Sequence, residues 1–193
     1  MLGHCETPHS DNENRNANLR KACGLLDGTI LQPGQEFSYN QTLGERTKEK
    51  GWLPAPAYSG TKLVDSPGGG ICQVSSTLYL ASVYSELTIV ERRNHGYPVS
   101  YIPLGMDATV SWGFTDLKIR NDSPMPVKIH AEESDGYVRV SILGTETRDY
   151  TVEMSYTAGG RYVRTYMSKI DKKTGELISK EPYALSAYID DVY

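Results

Sequence analysis

The chain has 193 residues, a formal net charge of −4 and an ordinary globular composition, enough for one domain with a real core or a domain plus a small appendage. The charge leaves no basic surplus for nucleic acid, and no apolar run approaches the roughly 20 residues of a membrane helix. Tyrosine outnumbers phenylalanine 14 to 2; a ring with an apolar body and a polar tip suits half-exposed strands, and equally grooves that hold saccharide or peptide.

Residues 1–13 are polar and aperiodic and predict a loose lead-in. The start Met1-Leu2-Gly3-His4 lacks the shape of a signal peptide. A first helix is predicted from Arg15 to Asp27. Asn14 is its cap, Leu19, Ala22, Leu25 and Leu26 form its apolar face, and Gly28 ends it. Pro33-Gly34 reads as a turn before an extended piece at Glu36–Tyr39. Residues 41–67 read mostly as loop, with Ala57-Tyr58 and Lys62-Leu63-Val64 as short strands around Ser59-Gly60-Thr61.

The next stretch organises the rest. Gly68-Gly69-Gly70 opens a backbone that other residues follow only at a cost. Ile71, Val74, Leu78 and Ala81 then recur at helical spacing, predicting a helix from about Ile71 to Ser85. Cys72 therefore falls in its first turn, where free N–H groups and the helix dipole favour a thiolate. The same features also describe a tight turn with a small core cysteine.

Leu87–Arg92 is β-branched and reads as a strand. Short strands are predicted at Val99–Ile102, Ala108–Trp112, Leu117–Asn121, Val127–Ala131 and Tyr137–Leu143, with turns at Asn121–Pro124 and Ser134–Gly136. Gly144–Asp149 is a seam. Beyond it, Tyr150–Tyr156, Arg161–Asp171 and Leu177–Ser179 read as a β tail with a hairpin turn at Lys172–Gly175. The predicted division is a lead-in at 1–13, a core domain at 14–144 and a β-rich extension at 145–193. The fold class is α+β: two helices on a mainly antiparallel sheet, with a small C-terminal β appendage.

Several blocks, in order, resemble the VanW family, named after an accessory protein of vancomycin-resistance clusters. They are Asn14–Leu19, Leu31–Asn40, Gly44–Thr47 with Gly51-Trp52, the Ser66–Ala81 stretch, His95–Tyr101, Gly105–Val110 and Asp116–Asn121. The resemblance implies a bacterial extracytoplasmic protein, exported or anchored as part of a longer chain, with peptidoglycan or its stem peptides as partner. It supplies no established reaction.

A cysteine nucleophile needs a base, and the base needs an orienting group. His4 and His9 lie in the lead-in, and His130 falls on the polar face of a strand. His95 follows the cysteine helix in a family-like block and is the candidate base, with Asp107 or Asp116 to orient it. Gln73, the Cys72 N–H and the Gly68–Gly70 amides are candidates for an oxyanion hole. Ser75 lies near the cysteine's face. Arg15, Arg46, Arg92 and Arg93 can hold carboxylates; Arg46, in a Gly-Glu-Arg-Thr turn, is the candidate for a stem-peptide carboxylate. No Lys-Ser/Thr pair follows the glycines, so they are no P-loop. No paired Cys or His spacing predicts a metal site, and no cofactor is expected. Cys5 and Cys23 can pair, leaving Cys72 as the free thiol, or all three can be reduced. Two readings of function stand: a cysteine-dependent peptidase or transpeptidase acting on stem peptides, and a non-catalytic wall-binding or structural module.

Overall fold

The computed structural model describes residues 1–59 and 62–192. Its elements in order are β1 (Gly3–Pro8), α1 (Glu13–Leu26), β2 (Ile30–Leu31), β3 (Glu36–Ser38), α2 (Tyr39–Leu43), β4 (Pro54–Ser59), β5 (Lys62–Pro67), α3 (Ile71–Tyr84), β6 (Thr88–Glu91), β7 (Lys118–Arg120), β8 (Val127–Ser134), β9 (Tyr137–Leu143), β10 (Tyr150–Gly159), β11 (Tyr162–Asp171) and β12 (Leu177–Ala187). The class is α+β with antiparallel sheets, as predicted.

Helix α3 is the axis. Every residue from Gln73 to Val83 is buried, not one stripe alone, because β1 and β9, α1, β6 and β10 all pack around it. Its hydroxyls remain satisfied inside: Thr77 Oγ1 donates to Gln73 O (2.8 Å) and Ser82 Oγ to Leu78 O (2.7 Å). The sheet in the order β1-β9-β8-β2 forms one wall. Along β8 and β9 the buried residues alternate, with Val127, Ile129, Ala131, Val138, Val140 and Ile142 turned into the core. Asp135 and Gly136 both take positive φ (54° and 81°), the geometry of a tight hairpin turn.

The lead-in is a correction. Gly3–Pro8 is strand β1, paired antiparallel with β9 from Gly3↔Ile142 to Pro8↔Tyr137. Cys5 and Thr7 turn inward while Glu6 and Pro8 stay exposed, so the two-residue period is real but short and polar. Helix α1 begins earlier than predicted, because Asn12 caps it by accepting from Arg15 N (2.9 Å). Leu25 is 41% exposed, and Cys23 takes the predicted inner place. Ser38 caps a short extra helix, α2, by accepting from Gln41 N (3.0 Å).

Residues 99–102 and 108–112 form no strand. Pro98 and Pro103 bracket the first. In the second, side chains take the backbone bonds a ladder needs: Ala108 N donates to Ser76 Oγ (2.9 Å), and Ala108 O accepts from Ser75 Oγ (2.6 Å). The paired strands β4 and β5 extend the predicted pieces to Pro54–Ser59 and Lys62–Pro67. The turn predicted between them, at Gly60-Thr61, lies outside the described residues. The tail is a three-stranded sheet, β10-β11-β12, with Gly175 at positive φ in its second turn.

Candidate active site

Cys72 sits half-buried in the first turn of α3. The preceding turn is glycine for steric reasons. Gly70 has φ +102°, and a Cβ on Gly69 would lie 2.1 Å from Ala55 O. The amides of Gly68 and Gly69 are used, donating to Leu53 O (3.1 Å) and Ser66 O (2.9 Å). Those of Gly70 and Cys72 have no hydrogen-bond acceptor among the described residues, which leaves both free to donate to an oxyanion. The Cys72 sulfur touches Val110 O (3.6 Å) and Thr109 Oγ1 (3.8 Å).

His95 lies beside the thiol. Its ring is close enough to Cys72 to shift the thiol's ionisation, and it hydrogen-bonds Asp107, with Nδ1 at 2.6 Å from Oδ2. The same Oδ2 accepts from the His95 amide (2.6 Å), fixing the backbone as well as the ring. Occupation of Nδ1 leaves Nε2 for the sulfur. Asp107 is itself held from behind: Tyr188 Oη donates to its Oδ1 (2.9 Å), and Arg92 Nη2 lies 3.5 Å from the same atom. Asp107 is 1% exposed and His95 9%.

The charges follow from these neighbours. For Cys72, burial raises the thiol pKa, but hydrogen bonding and charge from His95 outweigh it, and the net shift is downward. For His95, burial disfavours the imidazolium, yet Asp107 and then Cys72 push its pKa up to about 9. Asp107 is lowered: burial opposes its ionisation, and the His95 hydrogen bond and charge overcome that. Both shifts run in the direction that favours a thiolate–imidazolium pair. Cys5 and Cys23 are free, buried and pushed up to about 12, chiefly by desolvation.

Cys72, His95 and Asp107 thus come together, and the other candidates go elsewhere. Asp116 accepts from Ser38 Oγ (2.5 Å), Asn40 N (2.8 Å) and Leu117 N (2.8 Å), so it holds the start of α2. Gln73 is 1% exposed. Its amide donates to Thr7 Oγ1 (2.8 Å) and Pro8 O (2.9 Å) and accepts from Arg15 Nη2 (2.6 Å), tying β1 and α1 to α3. Ser75 is fully buried, its hydroxyl spent on Ala108 O and Cys72 O. Ser75 and Ser76 fasten the 107–110 segment to the cysteine turn, and Thr109 N donates to Arg93 O (2.8 Å). Arg46 covers Gly68 and donates to Gly44 O (2.8 Å) and Asn40 Oδ1 (2.7 Å).

Tyr188, Arg92 behind the carboxylate and Thr109 at the sulfur were not legible as site residues. Arg92 alone carried a signal, as a cation able to hold a carboxylate. Among the described residues no group of three or more His, Cys, Asp or Glu side chains is arranged to hold a metal ion. No described helix is long and apolar enough to cross a membrane.

The family described as VanW like protein matches residues 14–143. The chain is 38% identical over 138 residues to a Bacillus subtilis protein named uncharacterized protein YoaR, a match covering 72% of this chain and 46% of that one. It is 34% identical over 122 residues to the vancomycin B-type resistance protein VanW of Enterococcus faecalis, covering 61% and 44%. The chain thus spans under half the length of these curated relatives. No solved structure matches it.

Proposed function

This chain belongs to the VanW-like family, with a relative named for vancomycin resistance, and from that premise we propose that it is an extracytoplasmic cell-wall protein cleaving or exchanging peptidoglycan stem peptides through Cys72. The observation that carries the reading is a first-turn thiol beside a histidine whose ring an aspartate orients. The Cys72 thiolate attacks a peptide carbonyl carbon and forms a C–S bond. The carbonyl oxygen becomes an oxyanion facing the Gly70 and Cys72 amides. The His95 imidazolium gives its proton to the leaving nitrogen as the C–N bond breaks, leaving a thioester. Water, or the amine of a second stem peptide, then attacks the thioester while His95 takes the incoming proton. The C–S bond breaks and the thiolate returns. Water as acceptor gives a peptidase, and an amine gives a transpeptidase. Asp107 holds the ring throughout.

The rival reading is a wall-binding module without turnover. It draws on the exposed aromatics Trp112 (44%) and Phe114 (90%) on the loop that follows Val110, since such rings suit saccharide faces. Substitution at Cys72 separates the two. Cys72→Ala and Cys72→Ser should abolish cleavage or exchange of muropeptides, by many powers of ten as for any member of a catalytic unit, and leave muropeptide binding intact. Turnover at the wild-type rate in either variant removes the enzyme. Binding without turnover in the wild type leaves the module.

A further inference from the structure

We infer that Arg15 and Arg46 form a carboxylate-binding subsite beside Cys72, so that the substrate offers an acidic group next to the bond attacked. This deepens the reading of Cys72 as a nucleophile and rests on it for the word substrate.

The two arginines flank the cysteine turn. A Cβ added to Gly70 would meet Arg15 Cγ at 2.8 Å and Nε at 3.3 Å; one added to Gly68 would meet Arg46 Cγ at 2.8 Å. Neither guanidinium forms an ion pair with an Asp or Glu among the described residues; Arg20, Arg92, Arg120, Arg139 and Arg148 do, and of the other arginines Arg93, Arg161 and Arg164 do not. Arg46 spends its donors on neutral acceptors, with Trp112 under its face at 6.0 Å. Arg15 gives Nη2 to Gln73 Oε1 at 2.6 Å, but its Nη1 is buried with no acceptor. A buried guanidinium N–H left unpaired is costly, and such groups are rare in a finished fold.

Tyr101 repeats the pattern. Its hydroxyl is buried and makes no well-formed hydrogen bond. The Ser76 hydroxyl lies near it, its own proton given to Cys72 O and one lone pair taken by Ala108 N. Arg15 and Tyr101 lie in each other's field and in that of Cys72; Arg46 shares the field of Cys72, Tyr39 and, more distantly than an ion pair, Asp116. What Arg15 Nη1 lacks is an anion with acceptors only. A carboxylate supplies two oxygens, and guanidinium groups hold that shape best.

The thiol reports on the subsite directly. A plain thiolate reacts faster with neutral iodoacetamide than with iodoacetate, whose charge it repels. Here Cys72 should prefer iodoacetate. Arg15→Gln and Arg46→Gln should each lower the iodoacetate-to-iodoacetamide rate ratio by about tenfold, the equivalent of one charge-assisted hydrogen bond. Arg15→Lys, which keeps the charge, should restore part of it and guards against a packing effect. Protection of Cys72 by dipeptides then identifies the carboxylate. A dipeptide with a free C-terminus is compared with one amidated there that carries a glutamate side chain, and with a fully neutral one. Protection by the first assigns a chain end, and by the second a side chain. A ratio favouring iodoacetamide in the wild type, or unchanged in both Gln variants, overturns the subsite. Fast iodoacetamide alkylation without the preference sinks the subsite alone. Slow alkylation with the preference sinks the nucleophile instead.

Discussion

Three thiols in one small protein meet three environments, and only one is activated. Cys5 and Cys23 lack a cationic partner, so burial, with nearby carboxylates adding to it, raises both to about 12. Cys72 is lowered because His95 answers the cost of burial. This pairing has a consequence for stability that follows from proton counting. His95 moves from 6.5 to about 9 on folding; alone, it would add stability that is complete below the unfolded value and lost as pH rises through about 9. Cys72 moves down from 9.0; alone, it would add stability present above that value and lost as pH falls through its folded pKa. Below about 9, and above both 6.5 and the folded pKa of Cys72, the folded pair carries one proton on the imidazole, and the unfolded pair carries one on the thiol. The two slopes cancel. Wild-type Tm should therefore be nearly level across that window. In Cys72→Ala the compensation is gone, while Asp107 still raises His95, so Tm should fall with rising pH. A level curve in the variant too would mean that His95 is not charged in the fold. On the acid side Asp107, held below 3.8, contributes stability above that value that is lost on further acidification.

At the level of elements, the junction between the β4–β5 hairpin and α3 decides where the sulfur points. Gly69 lies against the β4 backbone, with Ala55 O and C at 2.1 and 2.4 Å from an added Cβ. Backbone cannot rotate away as a side chain can, so Gly69→Ala must displace the hairpin or the helix start. It should cost about 1–3 kcal/mol, the range for overpacking, and slow Cys72 alkylation. Gly24, exposed in α1 with nothing within 4 Å, is the control. Gly24→Ala should raise stability by about 0.5–1 kcal/mol through helix propensity. Thermal melts of both variants check the pair, and wild-type behaviour in Gly69→Ala would release the turn from this role. Such junctions were legible in the sequence because their signals are local. The glycine turn, the cysteine helix and the Ser134–Gly136 hairpin each declare themselves within a few residues. Strand β1 did not, because its partner is β9, with Gly3 opposite Ile142. The 108–112 segment misled for the opposite reason. Its residues suit a strand, but α3 serines take its backbone bonds, and no pattern within the segment announces that. His95 and Asp107 were legible by elimination and by block resemblance. Gln73 and Asp116 were misread because a polar residue near the site and one inside the fold look alike in sequence.

For the whole molecule, the question is what the C-terminal sheet does for a site built by the rest. The family match ends at residue 143, yet the end of β12 and the residues after it lie along the His95 loop. Asn94 Nδ2 donates to Ala187 O (2.8 Å), Ile189 N to Gly96 O (2.7 Å) and Arg92 Nη1 to Ser186 Oγ (2.9 Å). Tyr188 Oη bridges Asp107 and the Gly105 amide, at 2.9 Å to each. Val163, Tyr188 and Val192 form a small core of their own with Leu104 against it. We propose that residues 1–144, with β1 paired to β9, fold as a unit and that the 145–193 extension docks on it to finish the site. A chain ending at Leu143 should then still melt cooperatively, at a lower Tm because Met154, Met167 and Tyr183 no longer cover the main core. Its Cys72 should alkylate more slowly near neutral pH, since Asp107 loses a donor and the His95 loop loses its brace. Tyr188→Phe isolates the hydroxyl. It keeps the ring in the small core but removes the donor to Asp107, which weakens the carboxylate's hold on the imidazole by about 1 kcal/mol, the size of one net hydrogen bond. The rate–pH profile of alkylation should shift toward higher pH, and Tm should fall as well, because Asp107 and the Gly105 amide both lose a partner. A profile that does not move would make Tyr188 a packing residue. Loss of cooperative melting in the shortened chain would make the two parts one domain.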